Sequence, residues 1–222
     1  MINNSKNIKL FFLSFIILVV FVCSVIFDKE LFLFFRNYNI YLWSLFDIFF
    51  STKFWIFYLI IFGIYYSIKH RYSIKRYLIG FKKIDNKKLF LLDLLNKSRK
   101  SKFFIIIYSL LISIVLTVLL KYCLGRQRPV FFEALNISGF YPFTSDWAFN
   151  SMPSGHTSSS FAVLGIIVFF HKKLNIIVYL IGFLIGISRV CFGAHFLSDV
   201  ILGSFIGVLA SWISYKYIYK NN

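Results

Sequence analysis

Two histidines stand where their surroundings invite chemistry, His156 in "SMPSGHTSSS" and His195 in "SRVCFGAHFLSD". Imidazole is the side chain that exchanges protons near neutral pH. Asp199 follows His195 by four residues, a spacing that puts both on one face of a helix. A carboxylate so placed keeps one ring nitrogen protonated and leaves the other as a nucleophile. His156 belongs to a different segment and is free to protonate a leaving oxygen. Lys121, Arg128 and Arg189 add a cationic cradle: arginine presents planar, paired donors to phosphate oxygens and lysine a point charge. Ser154, Gly155 and His156 open a predicted helix, whose first N–H groups and positive dipole end favour an anion. Gly155 permits close backbone approach. Each piece alone has a plainer reading: a Pro-Ser-Gly turn caps a helix, and a His/Asp pair at this spacing is commonly a structural hydrogen bond. Together, an anion cradle, an oriented nucleophile and a separate acid make a phosphate-transfer site.

These residues lie at the ends of apolar runs, and the runs must position them. The chain has 222 residues, 59% of them hydrophobic and 22% aromatic, with 30 Phe. Soluble domains use about 45–50% apolar residues. A spanning helix takes about 20 residues, and six runs qualify: 10–27, 53–68, 103–120, 157–170, 174–188 and 197–215. The fourth and fifth are short, which sets the site near the headgroup plane. The first is followed by "DKELFLFF" and not by a small-residue cleavage site, so it reads as a retained helix. The aromatic stretch 33–50 suits the membrane interface. The expected fold is an all-α integral membrane protein, a six-helix bundle in one domain over 1–222. The chemistry-bearing motifs fall within 121–199.

The formal charge is +17. Nucleic acid is a poor account of it, because the charges fall between apolar runs and read as basic loops. With the N-terminus in the cytoplasm, segments 1–9, 69–102, 171–173 and 216–222 face inward. They hold 18 of the 25 Lys and Arg residues, but only Asp85 and Asp93 of the 8 acids. That is a strong positive-inside signal. It places both termini in the cytoplasm and the other three connections outside. The basic stretch 69–102 is either a solvated linker or, over 87–102, an amphipathic surface helix. Lys121, Arg126, Arg128, Ser154, His156, Arg189, His195 and Asp199 then share the outer side at one depth. Ionisable groups at membrane depth are costly and usually functional.

Three motifs, in order and without departure, carry a resemblance: K-x6-RP from Lys121 to Pro129, PSGH from Pro153 to His156, and SR-x5-H-x3-D from Ser188 to Asp199. The chain resembles the type 2 phosphatidic acid phosphatase (PAP2) superfamily. The resemblance implies a phosphohistidine intermediate and neither metal nor other cofactor. It implies His195 as nucleophile, Asp199 as its orienting partner and His156 as general acid. It implies that Lys121, Arg128, Ser154, Gly155 and Arg189 bind the phosphate. Chain length and small outer loops look like the bacterial lipid A phosphatases of the 4′ type, in the inner membrane with a periplasmic site; such activity raises resistance to cationic peptides. Undecaprenyl pyrophosphate and phosphatidylglycerophosphate phosphatases are alternatives with the same chemistry, and a non-catalytic lipid-binding or transport protein is the alternative of another class. The expected partner is a membrane phospholipid or lipid A. Arg126 matches no motif position and is a headgroup contact or a bystander. Glu133 and Asp146 read as solvated, and His70 and His171 as surface groups. Cys23, Cys123 and Cys191 are too few for a disulfide framework, and the last two either pair with each other or, the favoured reading, are buried thiols.

Overall fold

The computed structural model describes residues 18–38, 41–69 and 101–220. There the regular structure is helical, apart from one isolated bridge between Arg126 and Phe140. Residues 18–26 form α1. Asp28–Arg36 (α2), Tyr41–Phe49 (α3), Thr52–Lys69 (α4), Lys102–Leu124 (α5), Pro129–Leu135 (α6), Gly155–Phe170 (α7), Asn175–Cys191 (α8) and Leu197–Ile213 (α9) follow. A wider π-helical stretch, Ser214–Lys220, continues α9.

The α5 helix shows why the chain belongs in lipid. Ser109, Ser113 and Thr117 recur every four residues and are buried, while Leu111, Val115, Val118 and Leu119 are exposed. Water would favour the reverse arrangement; hydrocarbon favours this one, because polar groups there must find partners inside the bundle. The Ser109 hydroxyl donates to the Ala162 carbonyl at 2.8 Å, and Thr117 shares a hydrogen bond with Ser158 at 2.8 Å. Both partners lie on α7.

The α7 helix is the hub, packed on α9, α5 and α8. Small residues bring the backbones together, as in membrane bundles generally. A Cβ at Gly203 of α9 would lie 2.6 Å from the Ser154 carbonyl oxygen, and one at Gly207 would strike the Ser158 carbonyl. From the other side, a Cβ at Gly165 of α7 would strike the Ser211 hydroxyl. On α7's remaining flank, the indole N–H of Trp55 donates to the Ser160 hydroxyl at 2.9 Å, fastening α4.

Among the described residues three helices are long and apolar enough to cross a membrane: Lys102–Leu124, Lys172–Cys191 and Leu197–Tyr219. Trp43–Phe49 and Thr52–Tyr65, bent by 48°, make a fourth if they count as one span. The aromatic stretch expected at the interface thus contributes to this bent pair. The α7 helix has only 16 residues. Residues 10–17 of the first expected span, and 70–100 of the basic segment, lie outside the described residues.

Candidate active site

Local sequence sets where each side chain stands. Gly125 ends α5 four residues after Lys121, with φ +55° and its N–H on the Lys121 carbonyl at 2.9 Å. Glycine is required there, since a Cβ would also collide with the Tyr141 carbonyl. Residues 126–128 then run as an extended bridge to α6, where Pro129 occupies the first helical turn and Arg128 the N-cap. The chain returns through 144–154 and enters α7 with Ser154 as N-cap.

His195 differs from the sequence expectation. It lies in the connection before α9, whose N-cap is Phe196, and Asp199 is the third helical residue. The two do not share a helical face. They meet because the connection folds back: the N–H groups of Ala194 and His195 both donate to the Arg189 carbonyl, at 3.1 and 3.3 Å. The ring Nδ1 of His195 comes within 3.6 Å of Asp199 Oδ2, slightly beyond an ordinary hydrogen bond, and has no closer partner among the described residues. Asp199 is fully buried. Its Oδ2 accepts the Ser151 hydroxyl at 2.5 Å and the Phe196 N–H at 2.9 Å; its Oδ1 accepts Arg126 at 2.7 Å.

The cradle closes around this pair. Arg128 Nη1 donates to the Ala194 carbonyl at 3.3 Å, beside His195, and Nη2 to the Asn150 carbonyl at 3.4 Å. Lys121 also donates to the Asn150 carbonyl and lies 3.5 Å from that of Ser151. Across α7, His156 Nε2 is 3.1 Å from Asp47 Oδ1, and the same oxygen pairs with Arg189. The Ser154 N–H is committed to the Asp199 carbonyl at 2.9 Å, contrary to its expected role at an anion. The helix end therefore offers the N–H groups of Gly155 and His156, and no protein atom lies within 4 Å of where a Gly155 side chain would begin. Lys121, Arg128, Ser154, Gly155, His156, Arg189, His195 and Asp199 are thus brought to one end of the bundle.

Electrostatics sort the groups outside the spans. Burial pushes the His195 imidazole well below its usual value; contact with Asp199 opposes this, and Lys121, Arg128 and Arg189 reinforce it. The ring is neutral at pH 7, as a nucleophile must be. Burial also lowers Arg128. For Arg126 burial is outweighed by Asp199 and Asp28, and its value rises.

Several residues behave unlike their sequence readings. Arg126 is 7% exposed and points inward to two carboxylates, so it is neither a headgroup contact nor a bystander. Cys123 is exposed where a buried thiol was expected; Cys191 is buried, and both are free. Glu133 is half-exposed but paired with Arg36 at 3.1 Å. Asp146, exposed as expected, caps a short turn by accepting the Ala148 N–H at 2.9 Å. His171 is exposed, and His70 lies outside the described residues. Sequence reasoning passed over Ser151, Asp28 and Asp47. The signal for Asp47 was legible: it is the lone ionisable group in "LWSLFDIFF", and such groups seldom sit idle in a membrane segment.

The PAP2 superfamily model matches residues 102–222, a stretch that contains all three motifs. The chain belongs to the PAP2 superfamily. Among PAP2 relatives, the lipid A 1-phosphatase of Rhizobium johnstonii is 34% identical over 107 residues, covering 48% of this chain and 43% of that protein. Phosphatidylglycerophosphatase B of Bacillus subtilis is 35% identical over 106 residues, covering 43% of this chain and 47% of that protein. The matches thus span less than half the length of these curated relatives. The crystal structure of Aquifex aeolicus LpxE superposes with a TM-score of 0.57 at 24% identity, covering 86% of this chain and 95% of that one. That likeness is one of fold, and at 86% coverage it extends beyond the PAP2-matched residues 102–222.

Proposed function

We propose that this protein is a membrane lipid phosphatase that hydrolyses a phosphomonoester through a covalent phosphohistidine. One observation carries the reading: His195 with Asp199, His156, and the cations Lys121, Arg128 and Arg189 meet at one end of a membrane bundle. The three cations and the N–H groups of Gly155 and His156 hold the phosphate oxygens. Thr157 donates to the Ser154 hydroxyl at 3.0 Å, leaving the Ser154 proton for the same anion. The neutral ring of His195 attacks phosphorus with its Nε2 lone pair, while Nδ1–H faces Asp199. The bond from phosphorus to the lipid oxygen breaks, and His156, which takes up a proton when the phosphate dianion lies beside it, supplies that oxygen's proton. Water then attacks phosphorus and gives a proton to His156, while the bond from phosphorus to His195 Nε2 breaks and its electron pair returns to the ring. Phosphate leaves, and both histidines return to their starting states.

Lipid A is the proposed substrate, on the periplasmic side of a bacterial inner membrane. The sequence reading favours its 4′-phosphate; the relatives named lipid A 1-phosphatases favour position 1. Mass spectra of lipid A from a bacterium expressing the protein separate the two. The expected result is loss of one phosphate, mapped to one sugar and absent with His195→Ala, accompanied by greater resistance to cationic peptides. Unchanged lipid A beside rapid hydrolysis of undecaprenyl pyrophosphate or phosphatidylglycerophosphate assigns the site to that lipid instead.

Orientation has its own test. A reporter active only outside the cytoplasm is expected to work when fused after Ser145 and to be silent after Phe90, because 12 basic residues in 69–102 hold that segment inside. The opposite pattern puts the site in the cytoplasm and removes periplasmic lipid A from consideration.

A further inference from the structure

The pair that performs the proposed chemistry is itself held by a second buried pair that no motif marks. Arg126 spans two carboxylates. Its Nη1 donates to Asp199 Oδ1 at 2.7 Å and its Nη2 to Asp28 Oδ2 at 2.8 Å. Ser198 closes the ring. Its backbone N–H donates to Asp28 Oδ1 at 3.0 Å, its hydroxyl bonds Asp28 Oδ2, and Arg126 Nη1 lies 2.6 Å from that hydroxyl. Asp28 is 2% exposed and Ser198 not at all. Phe196 and Phe140 cover the guanidinium, with ring centres 4.4 and 5.4 Å from its central carbon.

The α2 helix delivers Asp28, and it is locked in place. Phe32, fully buried, meets Phe196 and Phe132 edge-on at 5.7 and 6.4 Å. Arg36 at its far end donates to the Cys191 and Phe192 carbonyls, each at 3.3 Å, and pairs with Glu133. Thus α2 grips both the exit of α8 and the entry of α9, the two ends of the connection that carries His195. It lies outside the PAP2-matched residues 102–222.

We propose that Asp28 and Arg126 are positioning residues: they hold Asp199 as an ionised carboxylate in one orientation, with Oδ2 turned toward His195 Nδ1. A buried carboxylate whose cation is removed tends to take up a proton, and a protonated Asp199 would no longer hold the tautomer that leaves Nε2 free. Two lone carboxylates this close would likewise be forced to share a proton. Arg126 prevents both outcomes by giving one nitrogen to each. Lysine, a point charge, cannot reproduce that fork.

The inference rests on the proposed role of His195, and the experiment separates the two. Purified full-length wild type, His195→Ala, Asp28→Asn, Arg126→Gln and Arg126→Lys are assayed on phosphatidic acid and lipid A in detergent micelles. In parallel, ¹⁵N-histidine spectra report the tautomer of the His195 ring, assigned by its loss in His195→Ala. Asp28→Asn and Arg126→Gln are expected to lower kcat by about 10–100-fold, the range for lost outer partners of a functional histidine. KM should be unchanged, because the phosphate cradle is intact. Both should broaden the ring from one Nδ1–H tautomer into a mixture, and Arg126→Lys should recover part of each loss. Wild-type kcat per folded molecule and an unchanged tautomer, with only the melting temperature lowered, would make the pair purely structural and overturn the inference. Turnover surviving in His195→Ala would instead overturn the reading of the site, and the tautomer spectra would still decide the role of Asp28 and Arg126.

Discussion

His195→Ala is expected to remove turnover, by at least about 10⁴-fold, in a protein that still folds. His195 is 2% exposed and its ring faces the fully buried Asp199, whereas His156, the other imidazole at the cradle, is less buried and lies against Asp47. Asp199→Asn should cost about 10³–10⁴-fold for a related reason. Both carboxylate oxygens act only as acceptors: Oδ1 faces Arg126, while Oδ2 faces the Ser151 hydroxyl and the Phe196 N–H. An amide NH₂ in either place meets a donor, and if it takes the Oδ2 place it also turns a donor toward His195. The pH profile checks the same picture. Burial, reinforced by three cations, keeps the imidazole neutral well below its ordinary value near 6.5. The nucleophile is therefore competent above its lowered value and is lost only as pH falls through it. The acid limb of kcat/KM should lie below pH 6.5, with activity retained at about pH 6. An acid limb above 6.5, or comparable turnover in His195→Ala and wild type, would rule out His195 as the nucleophile.

Gly203→Val is expected to cause the largest loss among the changes that touch no proposed catalytic group. A Cβ there would sit 2.6 Å from the Ser154 carbonyl oxygen and 3.3 Å from the Ser154 nitrogen. These are backbone atoms and cannot rotate aside. Overpacking of this kind costs about 1–3 kcal/mol. The geometry adds a functional penalty, because the contact lies where the Ser154 N–H bonds the Asp199 carbonyl. Pushing α7 from α9 separates His156 from His195, and a displacement of about 1 Å can cost about 100-fold in rate. Thermal melting in detergent together with kcat is the measurement. Gly155→Ala is the control: its Cβ meets no protein atom within 4 Å, so it should melt like wild type. Equal melting and equal turnover for Gly203→Val and wild type would show that this helix contact does not set the site.

Some of this was legible in sequence, for definite reasons. Lys121, Arg128, Arg189, His156, His195 and Asp199 stand out because each is ionisable at the end of an apolar run, and lipid penalises charge without a use. The entry to α7 was visible in the Pro-Ser-Gly turn. Other features were not legible, because nothing local encodes them. Reading His195 and Asp199 as one helical face paired two residues that the fold does bring within 3.6 Å, but by another route. Spacing alone does not reveal that Phe196 caps α9 and leaves His195 in a folded-back connection.

Composition and the placement of apolar runs, charges and motifs therefore determined the solvent, the helical class and the residues gathered at one end. Those properties follow from local chemistry, since hydrophobic length and charge act wherever the chain happens to fold. Tertiary structure alone decided the partnerships between distant segments. Asp28 and Arg126 are 98 positions apart, and Arg126 and Asp199 a further 73. Asp47 reaches His156 and Arg189 from a third region. Whether a lone buried charge is a cost or a tool depends on which opposite charge packing brings to it, and that is set by the glycine-lined approach of α7 to α9 and the clamp of α2.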